Sequence, residues 1–231
     1  MIELRPFSRL GAADHGWLRA KHHFAFGDYF DRNRLGWGSL RVWNDDTIAA
    51  QTGFPPHGHA DMEIITYVRK GAISHKDSLG NAGRTEAGDV QVMSAGSGIR
   101  HSEYNLENED TQIFQIWIHP TSRGAAPSWG AKPFPKDDRA GRFVTLASGF
   151  GDDDALPIRT DARVLGATLK AGESATYELT PERHAYLVPA LGKVLVGDVT
   201  VNARDGAAIT GLDRITVTAI EDAEVVLVDA A

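Results

Sequence analysis

From Leu40 onward the apolar residues fall in short runs rich in β-branched and aromatic side chains, and each run is bounded by turn formers. In the first half the runs lie at 40–43, 63–68, 72–74, 90–93 and 112–118. Between them stand Asn44-Asp45-Asp46, Arg69-Lys70-Gly71, Ser78-Leu79-Gly80-Asn81, Ala87-Gly88-Asp89 and Ala95-Gly96-Ser97-Gly98, each read as a turn. A second series occupies 142–146, 162–169, 175–179, 184–188, 193–196, 215–218 and 223–228. Many short strands joined by Gly-rich turns predict an all-β chain of sandwich or jelly-roll type. Residues 1–36 show neither period, and an N-terminal segment that packs on the sheets is expected there. Between Pro120 and Pro135 the pattern lapses into a linker composition, Thr121-Ser122-Arg123-Gly124-Ala125-Ala126-Pro127, which suggests two units, 1–130 and 131–231. A faint repeat supports duplication: Gly88 and Gly206 each stand before a strand-like run.

Composition narrows the function classes. With 231 residues and 42% hydrophobic content the chain can bury a substantial core. A net charge of -7, with Lys and Arg scattered among acidic residues, argues against direct nucleic-acid binding, which needs clustered cations. The absence of cysteine excludes disulfides and thiolate metal sites. No run of about twenty apolar residues and no apolar leader is visible, so no membrane partner and a cytoplasmic location are expected.

Two segments carry metal-binding chemistry: His57-Gly58-His59 followed by Glu63, and His101-Ser102-Glu103. Strand alternation puts His57, His59, Asp61 and Glu63 on one face of their strand and His101 with Glu103 on one face of theirs, so that the two strands paired in one sheet would aim these groups at one point. Imidazoles with a carboxylate suit a divalent transition metal. A lone His-x-His pair is more often solvated than ligating, so the case rests on the two segments together. The other histidines take plainer roles. His15, His75, His119 and His184 stand alone and read as surface or hydrogen-bonded structural residues, while His22 and His23 are candidates for the mouth of a pocket. Phe24, Phe26 and Trp43 read as core and Arg100 as structural. Asp152-Asp153-Asp154 reads as a solvated loop, since it lacks the spacing of a calcium loop.

The run Phe54-Pro55-Pro56-His57-Gly58-His59 with the strand at 63–68, and the nearly continuous stretch from Gly88 to Glu103, resemble the two motifs of the pirin family of bicupins in the cupin superfamily. His22-His23-Phe24-Ala25-Phe26, Gly38-Ser39-Leu40-Arg41-Val42-Trp43-Asn44-Asp45-Asp46 and Gln115-Ile116-Trp117-Ile118 extend the likeness. It covers the N-terminal half firmly and the C-terminal half only by length and β pattern. The resemblance implies two tandem cupin (jelly-roll β-barrel) domains, the first metal-binding and the second degenerate. It implies His57, His59, His101 and Glu103 as ligands of one divalent transition metal, iron ahead of Mn, Co, Ni, Cu or Zn. Glu63, a ligand by spacing alone, becomes a neighbouring hydrogen-bonding group.

The activity implied is that of a quercetin 2,3-dioxygenase, which uses O2 to open a flavonol ring with release of CO. Glu103 or Glu63 is the candidate base for the substrate's 3-hydroxyl. Two alternatives accompany this reading: a metal- and redox-dependent regulatory partner of other proteins without turnover, and a dioxygenase acting on a non-flavonoid enol. A monomer is expected.

Overall fold

The computed structural model describes residues 1–152 and 154–231, and strands account for nearly all the regular structure. The first half builds β1 (Ile2–Arg5), β2 (Gly11–Asp14), β3 (Leu18–His22), β4 (Leu40–Ile48), β5 (Thr52–His59), β6 (Glu63–Lys70), β7 (Ala72–Asp77), β8 (Ala82–Glu86), β9 (Val90–Ser94), β10 (Ile99–Asn105), β11 (Thr111–Ile118) and β12 (Ser128–Lys132). The second builds β13 (Val144–Ser148), β14 (Leu156–Pro157), β15 (Ala162–Leu169), β16 (Ser174–Glu178), β17 (His184–Leu191), β18 (Val194–Val196), β19 (Val199–Val201), β20 (Gly206–Thr210), β21 (Arg214–Ala219) and β22 (Ala223–Ala230).

These strands form two cupin-type units, as the motif reading implied. In each, a seven-stranded sheet faces a four-stranded one. The first unit sets β12-β9-β6-β11-β4-β3-β2 over β5-β10-β7-β8; the second sets β1-β20-β17-β22-β15-β13-β14 over β16-β21-β18-β19. The orders repeat strand for strand. Thus β9-β6-β11-β4-β3 corresponds to β20-β17-β22-β15-β13, and the strands that follow Gly88 and Gly206 occupy equivalent places.

The two seven-stranded sheets pack on each other, so both are covered on both faces. Trp43, Ile65, Tyr67, Phe114 and Ile116 join Val164, Tyr186, Val188 and Val226 in a core between the units. The opposite face of the same strands sends Ile48, Val68 and Ile113 into the first unit. This double burial explains why β6 and β11 read as almost unbroken apolar runs and not as alternation. The interior of the second unit is filled by Leu165, Ala167, Leu169, Leu187, Val217 and their neighbours, with Asp229 held by Tyr177 and Arg183 at its end and no histidine cluster among the described residues.

Three sequence expectations are corrected. Asn44-Asp45-Asp46 is strand interior in β4 and not a turn. Its polar side chains are tolerated because Asn44 meets His22 and Asp45 is clamped by Arg69 and Arg204. The N-terminal segment does not merely cover the sheets but adds strands to them: β1 pairs with β20, and β2–β3 extend the first sheet beside β4. The linker-like stretch contains β12, which pairs with β9, and the expected division at 130/131 falls inside that strand. In the Asp152-Asp153-Asp154 run, Asp152 accepts hydrogen bonds from Arg163, and Asp153 lies outside the described residues. No helix among the described residues is long and apolar enough to cross a membrane.

Candidate metal centre

Strand β5 is the edge of its sheet and pairs antiparallel with β10, which sets His57 opposite His101 and His59 opposite Ile99. The register then shifts, so that Glu103 faces Phe54, and the extra residue of β5 falls at Pro55-Pro56. Prolines that cannot donate to a ladder are at home at an edge-strand bulge. Gly53 lets the strands close again, since a Cβ there would stand 2.3 Å from the Glu103 carbonyl oxygen and 2.5 Å from Tyr104 Cα. As a result the ligand nitrogens of His57, His59 and His101 all lie within 4.8 Å of one another, and His57 Nε2 is 3.2 Å from His101 Nε2.

Their partners fix which nitrogen is free. His57 Nδ1 is 2.8 Å from the Pro55 carbonyl oxygen, so Nδ1–H donates there and Nε2 keeps its lone pair. Behind His101, His75 Nε2 is 2.9 Å from Asp77 Oδ2, and His75 Nδ1 is 3.5 Å from His101 Nδ1. The His75 ring also stacks on Trp129, 4.7 Å between centroids. Burial raises the cost of the Asp77 charge, but hydrogen bonds from His75, Asn81 and Leu79 outweigh it and hold the acid below its ordinary range. With His75 donating to that carboxylate, its Nδ1 accepts from His101 Nδ1–H, and His101 Nε2 is left bare. Two bare imidazole nitrogens 3.2 Å apart repel unless a cation stands between them, so this donor set fits one divalent metal ion. His75, read from the sequence as structural, is a hydrogen-bonded residue standing directly behind the group.

Burial, reinforced by the neighbouring imidazoles, pushes His101 down to about 3 and His59 to about 4, so both present lone pairs at neutral pH. A stability consequence follows. Between pH 6.5 and about 4 the unfolded chain takes up protons at these histidines and the folded chain does not, so stability falls as the pH is lowered. The metal-free protein is expected to lose on the order of 1–2 kcal/mol per histidine by pH 4.5. Denaturant midpoints between pH 7 and 4.5 measure this, and an unchanged midpoint would contradict it.

Glu103 lies on the same face of β10 as His101 but outside the three-histidine group, and it is buried. Its Oε1 accepts from Gln91 Nε2 at 2.7 Å and Thr66 Oγ1 at 3.2 Å, and its Oε2 from Gln115 Nε2 at 2.8 Å. These donors belong to a row that crosses the seven-stranded sheet. The cross-strand partners His22↔Asn44, Asn44↔Gln115, Gln115↔Thr66 and Thr66↔Gln91 carry it over five strands, β3-β4-β11-β6-β9. Burial pushes the Glu103 acid up, and nearby His75 with the donors from Gln115 and Thr66 pulls it back.

Strand parity misplaces two acids. The chain leaves β5 at His59 and turns through Asp61, whose φ is +48°, into β6 of the other sheet. Asp61 accepts from the Gly124 backbone N–H. Glu63 accepts from Ser94 Oγ at 2.6 Å and Arg159 N–H at 3.1 Å, with burial raising its acid, and it shares no face with the histidines. His22 and His23 separate as well. His22 faces the cavity, hydrogen-bonded to Asn44, whereas His23 is buried between the units against Tyr186. Phe24 and Trp43 are core as expected, but Phe26 stands on the cavity wall, edge-on to Trp117 at 5.4 Å.

His57, His59, His101 and Glu103 open on a cavity of about 670 Å³ walled by Leu18, Phe26, Tyr29, Phe54, Ile64 and Trp117, with His15, His22, Asp28, Asn44, Asp46 and Gln115 as its further polar groups. That size and lining suit a small, largely apolar ligand. Asp46 is buried, and its Oδ1 has no hydrogen-bond partner among the described residues. Burial, then the charges of Asp45 and Glu103, push this acid well above its ordinary range.

Comparisons with known proteins agree with this architecture. Residues 4–118 match the Pirin family model, and residues 145–230 match a model described as a quercetinase C-terminal cupin domain. The chain is 72% identical to a pirin-like protein of Caulobacter vibrioides, with all of both chains covered. It is 40% identical to a protein named quercetin 2,3-dioxygenase of Escherichia coli, over 99% of this chain and 98% of that one. A crystal structure of the bacterial pirin YhhW of Escherichia coli in complex with nickel(II) superposes with a TM-score of 0.94 at 38% identity, covering 100% of this chain and 99% of the other. With both halves matched, the relatives aligned end to end and the strand order of a bicupin reproduced, the chain belongs to the pirin family.

Proposed function

We propose that this protein is a metal-dependent dioxygenase that opens a flavonol such as quercetin with O2 and releases CO, using one metal held by His57, His59, His101 and Glu103. The observation that carries the reading is the meeting of three imidazoles and a donor-held carboxylate at the wall of one apolar cavity. The name of the Escherichia coli relative supports the activity, and the nickel(II) complex of YhhW supports binding of a divalent ion by a protein of this fold. We favour iron in this chain, because the nitrogen and carboxylate donors suit a redox-active divalent ion. A bound transition metal supplies the electron transfer with O2 that a closed-shell enol lacks, and it polarises an oxygen donor.

The chain's own residues bind, hold and exclude. His57 and His101 are oriented by Pro55 and by the His75–Asp77 pair, which keeps their free nitrogens aimed at one point. Glu103 is the base we favour for the substrate's enolic hydroxyl. Its Oε2 has a single donor, Gln115, and retains capacity to accept a proton, whereas Glu63 is committed to Ser94 and Arg159 in the other sheet. Phe26, Phe54 and Trp117 exclude water around the reacting ring.

The test supplies quercetin and O2 to protein loaded separately with Fe, Mn, Co, Ni and Cu. O2 uptake with matching CO release is expected from at least one form. No turnover with any of the five would overturn the activity.

A further inference from the structure

We propose that Asp46 is the ligand-recognition residue at the end of the cavity away from the His57, His59 and His101 cluster, and that it binds a phenolic hydroxyl on a flat aromatic ligand. The proposal deepens the reading of the site as a flavonol-type oxygenase and rests on it for the metal-bound end only.

The cross-strand rows of the seven-stranded sheet locate Asp46. Val42 pairs with Trp117, Asn44 with Gln115 and Asp46 with Ile113, so these make three successive rows across the sheet. The Trp117 row faces His59, whose ring lies 5.0 Å from the indole. The Gln115 row holds Glu103. Asp46 comes two rows beyond Trp117, about 13 Å along the strand at the usual rise per residue. In its own row the partners are Ala20 and Ile113, with Val68 beyond, all apolar. Every other polar residue pointing from this sheet toward the centre is engaged: His22 with Asn44, and Gln115, Thr66 and Gln91 with Glu103.

A buried carboxyl without a partner costs free energy, and native interiors rarely keep one without a function. Its neighbour Asp45 shows the contrast, since it points to the opposite face and is clamped by Arg69 and Arg204. What would satisfy Asp46 is a group arriving from the cavity that can both donate and accept a hydrogen bond. A hydroxyl does both, whereas an ammonium group only donates. The aromatic walls, Phe26, Tyr29 and Phe54, call for a flat apolar body between the two ends.

Binding to the metal-free protein tests the idea without turnover. Fluorescence titration would compare quercetin with 3-hydroxyflavone, which lacks the hydroxyls remote from the enol. Wild type should bind quercetin at least tenfold more tightly. Asp46→Leu should erase that preference while leaving 3-hydroxyflavone affinity unchanged or improved, and Asp46→Asn, which still accepts a hydrogen bond, should retain much of it. Equal losses for both ligands in Asp46→Leu would make Asp46 merely structural and overturn the proposal, as would wild-type binding that ignores the extra hydroxyls or that favours an aromatic amine over its alcohol. Absence of binding by either flavonol to wild type would sink it too. A preserved preference without turnover would sink only the dioxygenase reading.

Discussion

His101→Ala is expected to strip the protein of metal. His101 contributes one of three converging imidazoles and the nitrogen 3.2 Å from His57 Nε2, and it is the residue that the His75–Asp77 pair orients. Loss of a residue that only supports a ligand typically costs 10–100-fold in metal affinity, so loss of the ligand itself should exceed that. Elemental analysis after dialysis should find well under one equivalent per chain, and flavonol-dependent O2 uptake should vanish with it. The fold should survive, since β10 keeps its ladders to β5 and β7 and removing a buried imidazole leaves no charge stranded. His184→Ala provides the control, because His184 stands on the second unit edge-on to Trp37 and should not affect metal content. Full metal retention by His101→Ala would move the centre elsewhere.

Trp43→Ala should produce the largest loss of stability. Its ring is fully buried in the core between the units, 5.3 Å from Phe114 and 5.6 Å from Tyr186 across the joint. Truncating a buried aromatic of this size costs about 3–5 kcal/mol, the lost transfer energy plus the cavity left behind. Denaturant unfolding should show that decrease, and the two units should begin to separate in the transition because the residue serves the joint and not either interior. A loss under about 1 kcal/mol would mean that the sheets close over the gap and that Trp43 does not hold them together.

The architecture and the histidines were legible because both are local. Short apolar runs and Gly turns mark the strands, and His57-Gly58-His59 and His101-Ser102-Glu103 each lie within one strand and alternate regularly over their own three residues. Parity failed at Glu63 because it assumed one strand from 57 to 63, and the turn at Asp61 redirects the chain into another sheet. The supporting residues were hidden by distance along the chain. His75 and Asp77 come behind the site only through the pairing of β7 with β10, and the row from His22 to Gln91 exists only once five strands are in register. A signal was nonetheless present: Thr66, Gln91 and Gln115 each interrupt an otherwise apolar run at a position that faces inward. The Asn44-Asp45-Asp46 run misled in the same way, since three turn-forming residues conceal a strand whose polar groups are each spoken for or, at Asp46, aimed at the cavity.

The placement of β1 bears on how the molecule is assembled during synthesis. Residues 2–5 emerge long before their partners in β20 at 206–209, so β1 must wait for the second unit before its ladder can form. Closing so long a loop is slow relative to local pairing. Meanwhile the unpaired β1 is exposed to other nascent chains. Translation from an mRNA truncated after the first unit should therefore leave Ile2–Arg5 open to protease, and release of the full-length chain should close that site last.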